Sequence, residues 1–181
     1  MVSGKVVPLA RSSHRLDTIL VPTDGSALSI AAALNAVGFA KRLEARVLAF
    51  HAIPVYQYPV YLDGIPFEYP SEGDYETQCR TIAERYLGLI ANASTAQGVA
   101  VSTRIEFNSS PAQAIVDTAK RDHCSMIFMG SHGRGGLSRV FLGSVALKTL
   151  TLSHLPVMVD RPTPDEISRA QELLHENAIE L

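Results

Sequence analysis

Short apolar runs alternate with stretches of helical spacing along this chain, and that alternation limits the fold more than any other feature. The runs are Leu16–Val21, Ala45–Ala52, Val99–Phe107, Ser125–Met129 and Leu155–Asp160. Between them, helical patterns or helix-start signals cover about 26–43, 76–97, 110–122 and 143–153. Ser26 suits an N-cap. Ser110-Pro111 offers a capping hydroxyl followed by a proline in the first turn. Alternation of this kind predicts a parallel sheet with helices on both faces, joined by right-handed crossovers. The first and fourth hold short apolar runs, as strands buried on both faces do. Pro156 puts the last run at a strand start or a sheet edge.

Two segments break the rhythm. Ile53–Tyr75 holds four prolines and no sustained period, which predicts a long loop. Residues 164–178 read as an added amphipathic helix with Ile167, Ala170 and Leu174 on one side. At 181 residues the length favours one domain with chain to spare at the ends, and residues 1–15 read as a loose leader. A net charge of -2 argues against nucleic acid or acidic lipid as partner. No run is long enough to span a bilayer, and the first residues lack an apolar segment of signal-peptide length. Cys79 and Cys124 have neither disulfide-framework nor zinc spacing. A cytoplasmic protein with two reduced thiols is the expectation.

Ligands of open parallel sheets bind at the carboxyl ends of strands, near the switch in strand order. Both Pro22–Ser26 and Gly130–Ser144 directly follow strand-like runs. The second contains five glycines in GSHGRGGLSRVFLGS. It lacks the Lys-Ser/Thr of a P-loop. Ser138 occupies the place of the last glycine of a dinucleotide fingerprint, and no nucleophile elbow occurs. What remains is the physics of an anion cradle. Gly130 and Gly133 would expose backbone N–H groups after the fourth run, and Gly143-Ser144 would open the next helix with free donors and a partial positive charge. Arg134 and Arg139 would reach outer phosphates. A tight loop with a close helix–sheet contact explains the same glycines equally well. Asp24 reads as a ligand contact or as a turn cap with Gly25. A phosphoacceptor role for it fails because Phe107–Ser110 lacks the second acidic site of a receiver. His132 falls in the glycine loop, and His51 reads as a packed, hydrogen-bonded core residue.

The glycine pattern G-x2-G-x9-G-S, within MGSHGRGGLSRVFLGSVALKTL, resembles that of nucleotide-binding members of the universal stress protein family. ILVPTDGS, VLAFHAI and SHLPVMVD resemble the family's first, second and last strands, so the likeness covers about residues 16–161. It implies a Rossmann-like α/β three-layer sandwich with a five-stranded parallel sheet, of the adenine nucleotide alpha hydrolase-like kind. Residues 162–181 lie beyond the likeness and read as a C-terminal helical extension. It further implies binding of adenine nucleotide, most often ATP, with a divalent cation such as Mg or Mn at the phosphates. Position by position, Pro22, Thr23 and Asp24 would border the adenosine, and Ala52 would offer its backbone to the adenine. Met129, Gly130 and Gly133 would line the ribose and first phosphates, with Arg134 beyond them. Gly143, Ser144 and Val145 would hold the phosphate tail. Many members dimerise through the last strand, here around Val157–Val159. No base that could orient a water is evident, so slow ATP hydrolysis at most is expected. The alternatives are an interaction module of the same fold with no nucleotide, and an ATP-activating enzyme. The latter would need a glycine-rich loop after the first strand, where PTDGSALS has one glycine.

Overall fold

The central strand explains its own sequence. In β1 (Thr18–Pro22) every residue is buried, because Ile19 and Val21 point into one core and Leu20 into another. The computed structural model describes residues 16–57, 70–133 and 142–177. β2 (Arg46–Ile53) and β4 (Met126–Gly130) flank β1 and are split between the two cores in the same way. Val47, Ala49, Met126 and Phe128 face one side, and Leu48, Phe50, Ile127 and Met129 the other. β3 (Val101–Phe107) and β5 (Val157–Asp160) are the edges, so the order is β3-β2-β1-β4-β5 with every pair parallel. Pro156 immediately precedes the edge strand β5, where its missing N–H costs little.

Helices α1 (Ala27–Arg42), α2 (Glu72–Ala96) and α5 (Pro164–Glu176) pack on the first face, and α3 (Pro111–Arg121) and α4 (Ser144–Leu152) on the second. The result is a three-layer α/β sandwich. Ser26 caps α1 by accepting from the Ser29 N–H at 3.2 Å. α5 starts with a reciprocal capping box between Thr163 and Glu166. Its apolar side docks on α1, with Ala170 fully buried and Ile167 and Leu174 beside it. No described helix is long and apolar enough to cross a membrane.

Three readings need correction. The Pro/Tyr-rich stretch was expected to run to Tyr75, but α2 begins at Glu72. Ser71 caps it, accepting from the Asp74 N–H at 3.1 Å, and Glu72 and Asp74 complement the helix dipole. Ser110 stands at the N-cap of α3 without a capping hydrogen bond from its hydroxyl. Its N–H instead donates to Asn108 Oδ1 (2.8 Å), an Asx turn that aims the chain into the helix. Strand limits also shift by a residue or two: β1, β3 and β5 start at Thr18, Val101 and Val157 rather than Leu16, Val99 and Leu155. The leader 1–15, the core of the Pro/Tyr-rich stretch (58–69), the loop 134–141 with Arg134 and Arg139, and residues 178–181 lie outside the described residues.

Candidate functional site

The strand order reverses between β1 and β4: the chain moves outward from β1 through β2 to β3, then crosses over to β4 and β5. The segments leaving β1 and β4 therefore diverge and leave a crevice between them.

On the β1 side the turn Thr23–Ser26 is held by its own polar groups. The Thr23 N–H donates to the Phe50 carbonyl at 2.9 Å, extending the sheet pairing. Thr23 Oγ1 lies 2.8 Å from Ser29 Oγ and accepts from the Gly25 N–H at 3.1 Å. The Thr23 carbonyl lies 2.8 Å from His51 Nδ1. A carbonyl can only accept, so this nitrogen of His51 carries the proton. Asp24 Oδ1 accepts from the Ser26 N–H (3.0 Å) and hydroxyl (2.7 Å), which fixes its carboxylate at the start of α1. Gly25 has φ +79°, and the Tyr86 ring from α2 closes the space behind it.

On the β4 side the Ser131 N–H donates to the Asp160 carbonyl at 2.8 Å, and the Ser131 carbonyl accepts from the Gly143 N–H at 2.8 Å. These two bonds bring the far end of the glycine loop back to its start. His132 Nδ1 lies 3.1 Å from Ser131 Oγ. Gly143 is the N-cap of α4 with an extended backbone and no side-chain cap. The first-turn N–H groups of a helix have no carbonyl partner within it, and they carry the positive end of its dipole. The two sides meet at Gly133, where a Cβ would lie 2.2 Å from Asp24 Oδ2.

Between these walls lies a cleft of about 660 Å³, within the range usual for small-molecule sites. Every residue carried over from the resemblance lines it except Arg134, which lies outside the described residues. Pro22, Thr23 and Asp24 come from β1 and its turn, and Ala52 from β2. Met129, Gly130 and Gly133 come from β4 and its loop, and Gly143, Ser144 and Val145 from the start of α4. His132 lines the cleft too. So does His51, which is buried and bonded as expected of a core histidine. Sequence reasoning did not place Ser29, Phe50, Pro54, Pro111, Ile115, Leu142 or Ala146 at the site, and these complete the lining. Pro54 leaves the end of β2 and Pro111 opens α3, so both follow strands and could have been flagged by the same carboxyl-end rule. Among the described residues no group of three or more His, Cys, Asp or Glu side chains could hold a metal ion.

A model of the universal stress protein family matches residues 15–161. The chain belongs to this family. A universal stress protein of Methanocaldococcus jannaschii is 33% identical over 145 residues, covering 78% of this chain and 79% of the relative. One from Thermus aquaticus is 33% identical over 145 residues, covering 80% of this chain and 98% of the relative. Among solved structures, the universal stress protein UspA from Lactobacillus plantarum shares the fold at a TM-score of 0.65 and 24% identity, over 81% of this chain and 99% of that one. A universal stress protein in complex with cAMP (TM-score 0.56, 20% identity, 81% and 98% coverage) shares the fold as well. So does an Archaeoglobus fulgidus member in complex with dAMP (TM-score 0.57, 18% identity, 80% and 98% coverage).

Proposed function

We propose that this universal stress protein binds an adenine nucleotide, with ATP as the ligand, and serves as a nucleotide-dependent stress-response or signalling module of the cytoplasm. The observation that carries the reading is the opening of α4 into the same cleft as the apolar ends of β2 and α3. Strand order places the β2 side and the β4 side at opposite ends, with Asp24 between them. A ligand with a flat, weakly polar end, a hydroxyl-bearing middle and an anionic tail fits that sequence of surfaces. Ala52, Pro54, Pro111 and Ile115 would flank the base. The Asp24 carboxylate would accept from ribose hydroxyls. The N–H groups at the start of α4 and the Ser144 hydroxyl would take phosphate. Arg134 would add charge at the tail. Phosphate oxygens would bring a divalent cation, Mg or Mn, with them. The structural relatives bound to cAMP and dAMP support the adenine-nucleotide class.

The role is binding, with slow hydrolysis at most. The protein would act as a homodimer through β5. Met158 on that edge is 40% exposed, and Leu147 and Leu150 of α4 are exposed too. The opposite edge, β3, is charged instead. Arg104 pairs with Asp122 at 2.7 Å and Glu106 pairs with Arg121, a pattern that discourages strand addition.

The test is to purify the protein without added nucleotide, denature it, and identify released small molecules by mass spectrometry. Calorimetric titration of ATP, ADP and AMP, with and without magnesium, follows. Saturable ATP binding is expected. No released nucleotide and no binding heat would overturn the reading in favour of an interaction module of the same fold.

A further inference from the structure

The family match ends at residue 161, yet the helix beyond it is tied to the wall of the cleft that follows β1. Ahead of α5, Asn35 of α1 donates to Asp160 Oδ2 at 2.9 Å. The Asp160 carbonyl in turn holds the Ser131 N–H at 2.8 Å, and Ser131 holds Gly143. At the end of α5, Arg85 of α2 donates to the Leu174 carbonyl, and its guanidinium lies 5.9 Å from the centre of the Tyr86 ring. That ring backs the β1 turn: a Cβ on Gly25 would stand 2.1 Å from it. It also lies 5.7 Å from the His51 ring, which holds the Thr23 carbonyl. Between its two ends, α5 is anchored by the fully buried Ala170.

We propose that Tyr86 is a positioning residue through which docked α5 sets the affinity of the cleft for adenine nucleotide. Arg85 joins the last turn of α5 to Tyr86, and the Tyr86 ring backs the β1 turn. An undocked α5 releases Arg85, and the β1 wall of the cleft loses a constraint that fixes it. Because coupling between two equilibria is reciprocal, nucleotide in the cleft must tighten the docking of α5 by the same factor. This inference rests on the nucleotide reading of the cleft.

The experiment uses the full chain. Hydrogen exchange of α5 amides is followed with and without saturating ATP, and ATP affinity is measured for wild type, Tyr86→Leu, Tyr86→Phe and Ala170→Glu. The expected result is slower exchange over Ala170–Leu174 with ATP, although none of these residues lines the cleft. Tyr86→Leu and Ala170→Glu should weaken ATP binding about fivefold or more. Tyr86→Phe, which keeps the ring, should bind as wild type does. The wild-type exchange measurement decides the matter even if a variant fails to fold. ATP binding with unchanged α5 exchange overturns the coupling alone. No ATP binding by wild type overturns the reading of the cleft, and the coupling with it.

Discussion

Gly133→Ala is a one-methyl probe of how the two walls of the cleft meet. The new Cβ would stand 2.2 Å from Asp24 Oδ2 and 3.1 Å from its Cγ, so the carboxylate has to move. Moving it strains or breaks the bonds that Oδ1 accepts from the Ser26 N–H and hydroxyl. Water and Ser29 can replace part of what Ser26 loses. The net cost should be about 1–2 kcal/mol, or about 3–6 °C in Tm for a chain of this size.

The cause is separable by a double-mutant cycle. Asp24→Ala removes the same bonds and should cost a similar amount. In that background the clash is gone. The Gly133 backbone lies outside the left-handed region, so alanine fits there without strain. Gly133→Ala should then be neutral, or stabilising by about 0.4–1 kcal/mol through the unfolded chain. The four proteins are compared by urea or thermal melts. A cost that vanishes or reverses sign in the Asp24→Ala background is the expected result. Additive costs, agreeing within about 0.5 kcal/mol, would refute the account. The glycine would then be required by something other than Asp24.

Gly25→Ala meets both a left-handed backbone, at φ +79°, and the Tyr86 ring. It should destabilise the fold by about 2 kcal/mol or more, and an unchanged denaturation midpoint would contradict that. The Cys124 thiol is pushed up to about 11, by burial first and by the Asp122 charge second. Iodoacetamide at about pH 8 should therefore leave Cys124 unmodified in the native protein and label it in denaturant, as read by peptide mass spectrometry. Glu166 is held below the usual carboxylate range by the Thr163 backbone N–H and then by its hydroxyl. A lowered folded pKa stabilises the protein above the ordinary value, and this contribution is lost as pH falls through the folded one. Urea melts from about pH 6 down to about pH 3 should show a shallower acid decline for Glu166→Gln than for wild type, and parallel curves would refute the linkage. Met158→Asp should shift the proposed β5 dimer to monomer in light scattering, while an unchanged mass would place any dimer elsewhere.

The layered architecture was legible because its cause is local. A strand covered on both faces needs apolar residues at every position, and Thr18–Pro22 and Met126–Gly130 have them apart from Thr18 and the terminal Pro22 and Gly130. The start of α2 was not legible from apolar spacing, since its first turn is Glu72-Gly73-Asp74 and carries no apolar residue to reveal the period. Ser110 misled for a different reason. Its position suits a cap, but Asn108 two residues earlier takes its N–H. The walls of the cleft that follow β1 and β4 could be read from turn chemistry within single segments. The rest of the lining could not. Phe50 and Pro54 reach the cleft only because β2 pairs with β1, and Ile115 only because α3 crosses the sheet face beneath them. His51 shows how one residue carries two readings: its Nδ1–H is satisfied by Thr23, as in a core, while the residue still lines the cleft.

The glycine run admits two explanations, a tight loop or a phosphate cradle, and the loop's own contacts are compatible with either. A Cβ at Gly143 would stand 3.2 Å from the Ser131 carbonyl oxygen and from His132 Cα, so a larger residue presses on the loop's own backbone. A Cβ at Gly133 would displace the Asp24 carboxylate, and one at Gly130 would stand 3.0 Å from Leu28 Cδ2, which must give by a few tenths of an ångström. Contacts inside the protein thus bear on all three residues before any ligand is considered. The chain returns to Ser131 through the Gly143 N–H and starts α4 with Gly143, Ser144 and Val145 on the lining of the cleft. A glycine substitution in this run would therefore disturb fold and binding together, and loss of ATP binding in such a variant does not locate the phosphates. Ser144→Ala avoids this. Its side chain is exposed at the first turn of α4. If phosphate sits at this helix start, Ser144→Ala should leave the melting temperature unchanged and weaken ATP more than adenosine.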